Sequence, residues 1–169
     1  MPIEIQPAST AAPHTGSPTQ IAIVVSTYNH HITGKLSTAA VETLLKHGIL
    51  DAHICLLKVP GAWELVYGVQ QALELESFRG AIALGAVIKG ETTHDQHINR
   101  AVSMGLMELS VRLQKPVGLG LLTVNTLEQA IQRSGGNVGN KGEEAASALL
   151  ECLRLNSAFR TLFANSATS

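Results

Sequence analysis

Apolar positions change their period several times along this chain. Residues 21–25 (IAIVV) are all apolar and mostly β-branched, the pattern of a strand covered on both faces. Over residues 33–47 the period lengthens. Leu36, Ala40, Leu44 and His47 recur at helical spacing, and Gly48 ends the run as a C-terminal cap. Residues 54–59 predict a second strand stopped by Pro60-Gly61, residues 63–75 a helix, residues 81–88 a third strand, and residues 93–113 a long helix. Residues 116–124 (PVGLGLLTV) predict a fourth strand. Thr126 with Gln129 three positions on has the form of a capping box, which predicts a short helix starting there. A glycine-rich break spans 135–142, and a last helix runs to about Leu155 or beyond.

Four strands alternating with helices, each strand almost continuously apolar, predict a three-layer αβα domain around a four-stranded parallel sheet. The expected organisation is a flexible tail over 1–19, one domain over 20–160 and a C-terminal tail over 161–169. In such sheets ligands bind beyond the carboxyl ends of the strands. The segments that fall there are 26–31, 60–64, 86–94 and 123–126.

Composition narrows the class. Apolar residues make up 45% and charged residues 15%, which favours an oligomer with apolar interfaces over a highly charged monomer. A net charge of −1 with no Lys/Arg run gives no basis for nucleic-acid or anionic-membrane partners. No apolar run reaches membrane-spanning length, and the Pro-, Ser- and Thr-rich start lacks the basic and apolar regions of a signal peptide. A cytoplasmic protein is expected. Cys55 and Cys152 sit in apolar patterns and are expected to be buried, reduced thiols.

The richest chemistry lies in residues 80–97. A strand, glycine breaks at Gly85 and Gly90, and a helix opening on Glu91, Thr92, Thr93 and His94 place backbone N–H groups beside an imidazole. Helix N-termini attract anions, and histidine moves protons near neutral pH. The combination suggests an enzyme acting on a phosphorylated substrate. Tyr28 and Trp63, in a chain only 4% aromatic, both follow strand ends and are placed to stack on a planar heterocycle; ordinary packing is the alternative. Glu64 either complements a helix start or accepts hydrogen bonds from substrate hydroxyls. His94 and His97 form an H-x-x-H pair, but no third ligand has a convincing position, so no metal is expected. The loop SGGNVGNKG fails the G-x-x-x-x-G-K-[ST] pattern, which argues against nucleotide triphosphates. Arg133 and Lys141 flank it as an anion clamp or as solvated charges.

STYNHHIT, VPGAWE, GAVIKGETTH, PVGLGLLT with TLEQAIQRSG, and GNKGEEAA occur here in that order. Taken together they resemble the 6,7-dimethyl-8-ribityllumazine synthase family from about residue 21 to about 155. The resemblance implies a flavodoxin-like fold and a transferase that makes the penultimate product of riboflavin biosynthesis. It implies condensation of 5-amino-6-(D-ribitylamino)uracil with 3,4-dihydroxy-2-butanone 4-phosphate, without metal or organic cofactor. By motif, His94 would transfer protons, and Glu91 and Thr92 would hold the butanone phosphate through backbone N–H groups. Arg133 from a neighbouring subunit would pair with that phosphate. Tyr28 and Asn29 would meet the pyrimidine. Ala62, Trp63 and Glu64 would border the ribityl chain, Ala86, Val87, Ile88 and Leu119 would wall the ring, and Lys141 would reach it from the adjacent chain.

Four positions depart from the family's usual pattern: Tyr28, Trp63 and Leu119 stand where Phe is frequent, and Lys89 where Arg is common. The resemblance also implies pentamers with shared active sites. The short 135–142 connection favours assembly of pentamers into an icosahedral shell, which could enclose riboflavin synthase. The rival readings are a non-catalytic flavin- or lumazine-binding protein, or a shell-forming protein, of the same fold. The intact His94 and Arg133 favour catalysis.

Overall fold

The computed structural model describes residues 4–7 and 20–164. The elements run β1 (Glu4–Pro7), β2 (Gln20–Ser26), α1 (His30–Lys46), β3 (Ile54–Val59), α2 (Leu65–Leu73), β4 (Phe78–Ile88), α3 (His94–Leu113), β5 (Val117–Val124), α4 (Leu127–Gln132), β6 (Ser134–Gly136), β7 (Gly139–Asn140) and α5 (Lys141–Ala164). The main sheet has the order β1-β3-β2-β4-β5. β3, β2, β4 and β5 are parallel, as the apolar strand pattern requires, and helices cover both faces. This is the three-layer αβα, flavodoxin-like architecture.

The two faces of the sheet are not equivalent. Ile21, Ile23 and Val25 of β2 with Ile82, Leu84 and Ala86 of β4 face α1 and α5, where Leu36, Leu44 and Leu149 complete a core of bulky side chains. The opposite face of the same strands carries Ala22, Ala81 and Ala83 and is covered by α2 and α3. Small residues there let α2 lie close to the sheet. A Cβ on Gly68 would come within 2.8 Å of Val24 Cγ1.

Several boundaries differ from expectation, each for a local reason. α1 begins at His30 rather than 33, because Asn29 takes a left-handed conformation (φ 57°) and turns the chain straight into the helix. Its far end matches: Gly48 has φ 85°, its N–H donates to Leu45 O at 3.0 Å, and Ile49 N–H donates to Leu44 O at 3.1 Å, a Schellman cap. Thr126 Oγ1 accepts the Gln129 N–H at 3.2 Å, but the Gln129 side chain reaches back to Asn125 N–H at 2.8 Å, one residue earlier than a strict capping box. The glycine-rich break holds a small antiparallel hairpin, β6 and β7. No glycine or proline interrupts the chain after Gly142, and α5 continues to Ala164.

Glu4–Pro7, within the stretch expected as tail, forms an antiparallel edge strand on β3. It covers backbone groups that would otherwise be an open sheet edge, and its proline ends it there. The cysteines correct an expectation. Cys55 is only half-buried, with burial pushing its thiol up, and Cys152 is exposed. The inward positions of α5 are Ala145, Ala146, Leu149, Leu150 and Leu153, so 152 falls on the outer face. Among the described residues no helix is long and apolar enough to cross a membrane.

The GNKG segment anchors α5 to α1. Asn140 Oδ1 accepts the Gly142 N–H at 2.9 Å, and its Nδ2 donates to Lys35 O at 3.3 Å. A Cβ on Gly142 would collide with the backbone carbonyl of Leu36, so only glycine permits this approach. Gly142→Ala is therefore expected to destabilise the fold by about 1–3 kcal/mol through overpacking. Gly34→Ala, in open space on α1, is expected to stabilise it by about 0.5–1 kcal/mol. Thermal unfolding of the two variants should show shifts of opposite sign.

Candidate active site

The chain leaves β2 to form β3 on one side, then returns past β2 to place β4 on the other. The connections after β2 and β4 depart to opposite faces, and the carboxyl ends of these neighbouring strands splay into a crevice. Hydrogen bonds fix its walls. Thr27 N–H donates to Val59 O (2.8 Å), Tyr28 N–H to Pro60 O (3.0 Å) and Thr27 Oγ1 to Pro60 O (3.2 Å), tying the turn after β2 to the end of β3. Thr33 Oγ1, buried, donates to Ser26 O at 2.7 Å. On the other side Lys89 N–H donates to Val124 O at 2.8 Å, extending the β4–β5 ladder past the strands.

A cleft of about 390 Å³ fills the crevice. It brings together Tyr28, Asn29, Ala62, Trp63, Glu64, Ala86, Val87, Ile88, Thr92 and His94, all expected from sequence. Gly61, Gly90, Asp95 and Ile98 also line it and were not singled out as site residues. The signal for Asp95 was present: it follows His94 in the first turn of α3. In the sequence Gly61 signals only the stop after residues 54–59.

Individual side chains have distinct settings. Tyr28 and Trp63 are 73% and 61% exposed, so two aromatic faces stand free at the rim. Asn29 closes the turn rather than hanging into solvent: its Nδ2 donates to Ala86 O at 3.0 Å, linking the β2 turn to the end of β4. Glu64 precedes α2, and its Oε2 accepts the Gly61 N–H at 2.9 Å. His94 is exposed as the first residue of α3, with its N–H 3.4 Å from Thr92 Oγ1. His97 is exposed and does not line the cleft. No group of three or more His, Cys, Asp or Glu side chains among the described residues is placed to hold a metal ion.

The remaining expected residues lie elsewhere on the chain. Glu91 is exposed in the loop before α3, beside the cleft but not lining it. Leu119 is exposed on edge strand β5, paired in register with Ala83. Arg133 and Lys141 line a second pocket, of about 400 Å³, with Thr123, Glu128 and Val138. The two pockets share no lining residue. Lys141 Nζ meets Glu144 Oε2 at 2.9 Å.

Chemically, the cleft joins two free aromatic faces, a carboxylate held by a turn N–H, an imidazole and the opening turn of a 20-residue helix. A planar polar ring, hydroxyl donors and an anion can all find partners in it. Its geometry hangs on Asn29, so Asn29→Ala is expected to lose the bond to Ala86 and cost about 0.5–2 kcal/mol of stability. Asn29→Gly loses the same bond but keeps the left-handed turn. Chemical denaturation should therefore rank wild type above Gly and Gly above Ala.

Comparison with known proteins agrees with this architecture. Residues 18–157 match the family model described as 6,7-dimethyl-8-ribityllumazine synthase. A protein of that name from Rhodopirellula baltica is 57% identical over 141 residues, covering 83% of this chain and 91% of the relative. One from Gemmatimonas aurantiaca is 46% identical over 140 residues, covering 83% and 85%. One from Nitratiruptor sp. is 39% identical over 136 residues, covering 80% and 88%. With the fold, the motif order and a match along most of its length, the chain belongs to the 6,7-dimethyl-8-ribityllumazine synthase family.

Proposed function

We infer that the cleft between the β2 and β4 ends is where this enzyme does its chemistry. There it condenses 5-amino-6-(D-ribitylamino)uracil with 3,4-dihydroxy-2-butanone 4-phosphate to give 6,7-dimethyl-8-ribityllumazine, phosphate and water. The observation that carries this reading is the convergence of three separate loops on one cleft, with exposed Tyr28 and Trp63, Glu64 and His94 around it.

In this reading the pyrimidine stacks on Tyr28 against the wall of Ala86, Val87 and Ile88. Its ribityl chain runs past Ala62 and Trp63, and the Glu64 oxygen not engaged by Gly61 accepts from a hydroxyl. The butanone phosphate lies at the start of α3, where the Glu91 and Thr92 N–H groups and the helix dipole favour its charge. The amine of the pyrimidine is then held beside the ketone. Orientation of two reactants is worth up to about 7–11 kcal/mol, so it supplies much of the rate. The amine adds to the carbonyl and water leaves as the imine forms; phosphate is then eliminated and the enol left behind becomes a ketone. The ribityl-bearing nitrogen attacks that ketone, and loss of a second water closes the ring. His94 moves the protons these steps require.

Arg133 and Lys141 act from a neighbouring chain. They line a pocket separate from their own chain's cleft, which supports completion of the site between subunits. Arg133 is suited to bidentate contact with phosphate, and Leu119 walls the ring. The family's pentamer provides such neighbours. Exposed Met104, Met107, Val111 and Tyr67 supply apolar area for contacts between copies. Assembly of pentamers into a shell, enclosure of riboflavin synthase and cytoplasmic residence complete the proposal, with no metal or cofactor. Light scattering of concentrated protein should give a mass far above one pentamer; a single-pentamer mass contradicts the shell.

Mixing the purified protein with both substrates and following lumazine absorption should show saturable acceleration over background. His94→Ala should lower kcat by about 10²–10⁴-fold while leaving a rate above background, because positioning survives. Complete loss of rate in a folded His94→Ala variant contradicts that division of labour. Tight riboflavin binding without turnover by wild type contradicts the assignment of the site.

A further inference from the structure

Arg133 and Lys141 flank the base of the β6–β7 hairpin, which is short and rich in glycine. Gly135 and Gly139 hold positive φ there (113° and 94°). A two-stranded ribbon of this size has little stability of its own, so its shape depends on what fastens it. At the base, Arg133 N–H donates to Gln129 O (3.2 Å) and Lys141 N–H to Arg133 O (2.9 Å). At the tip, the two turn residues Asn137 and Val138 are both held by Gln132. The Gln132 carbonyl accepts the Val138 N–H at 3.2 Å, and its side-chain Oε1 accepts the Asn137 N–H at 2.8 Å. Its Nε2 donates to Glu128 Oε1 at 2.6 Å, so both ends of the amide are engaged. The tip folds so closely onto α4 that a Cβ on Gly136 would come within 2.8 Å of the Gln132 Cα.

We propose that Gln132 is a positioning residue for the phosphate of the butanone substrate, acting through Arg133. This rests on the reading of Arg133 given above. Gln132 immediately precedes Arg133, and the tip it pins supplies Val138 to the same pocket that Arg133 lines. Lys141 is engaged by Glu144, whereas no carboxylate pairs with the Arg133 guanidinium among the described residues. An exposed, unpaired arginine samples many rotamers, and orienting it when an anion binds costs affinity. A fixed wall beside it removes part of that cost before the substrate arrives. The bond from Gln132 to Glu128 is an exposed pair four residues apart on one helix, which is weak. The bond to Asn137 is the one that shapes the pocket, so the Oε1 acceptor is the atom that matters.

Steady-state lumazine formation by the full chain tests this with Gln132→Met, Gln132→Glu and Asn137→Pro. Met keeps the length of the side chain without the acceptor, and Glu keeps the acceptor. Pro removes the donor, at a turn position whose φ is not positive and accommodates it. Gln132→Met and Asn137→Pro should each raise KM for the butanone phosphate about 3–10-fold, the range for one lost hydrogen bond. KM for the aminopyrimidine should stay within about 2-fold, below that range. Gln132→Glu should recover most of the loss. Arg133→Ala should raise KM for the butanone phosphate about 10–100-fold, and Gln132→Met should add nothing in that background. An unchanged KM for the butanone phosphate in either Gln132→Met or Asn137→Pro overturns the proposal. They break one bond from opposite ends, so either decides alone if the other fails to fold. An equal rise in both KM values overturns it, as does Gln132→Glu no better than Gln132→Met. A full Gln132→Met penalty on top of Arg133→Ala does the same, because the effect then bypasses Arg133. If Arg133→Ala itself leaves KM unchanged, the reading of Arg133 fails first and takes the proposal with it. Should wild type form no lumazine, calorimetric titration with inorganic phosphate still decides, because equal Kd for wild type and Gln132→Met overturns the role of Gln132.

Discussion

The site depends on β2 and β4 lying side by side and parallel at the centre of the sheet. Their register pairs Ile21 with Gly80 through Val25 with Leu84. Parallel neighbours need crossovers, and the crossovers after β2 and β4 run to opposite faces of the sheet. A crevice must therefore open where these strands end. The burial of both strands on both faces makes this arrangement costly to disturb, because a one-residue slip would move every bulky side chain to the face where Ala22, Ala81 and Ala83 now admit α2. Fold stability and the existence of the cleft are thus one constraint.

Two of the residues that line the cleft also hold its loops. Asn29 turns the chain with a left-handed backbone and fastens that turn to Ala86, across the crevice. Glu64 secures the Pro60-Gly61 turn with one oxygen. Thr27 continues the contact of β2 with β3 past the end of the strands. These bonds leave the polar positions of the rim little conformational freedom, which is what positioning two reactants demands. The larger aromatic surfaces, Tyr28 and Trp63, stand free to meet a ring.

Much of this was readable from the sequence because it depends on local signals. Apolar strands, Gly48, and the Thr126 and Gln129 pairing each carry their own short-range signature, and the architecture follows from their alternation. The convergence of residues 26–31, 60–64 and 86–94 follows from topology alone. Other features depend on contacts that no local pattern encodes. The collision that requires Gly142 comes from Leu36, on the far side of the fold. The pairing of Glu4–Pro7 with β3 is written in backbone groups, not side chains. Cys152 sits in an apolar stretch, yet helical phase turns it outward. Arg133 and Lys141 were joined to the rest of the site only through family resemblance, because their own chain keeps them in another pocket.

The central claim is that one functional site needs the cleft of one chain and the Arg133 pocket of another. Co-assembly of a His94→Ala chain with an Arg133→Ala chain tests it directly, by lumazine formation. A site shared between neighbours regenerates intact sites in the mixed oligomer, so activity should rise well above that of either variant alone. Activity equal to the average of the two variants would mean that each site is built within a single chain, and would contradict the account.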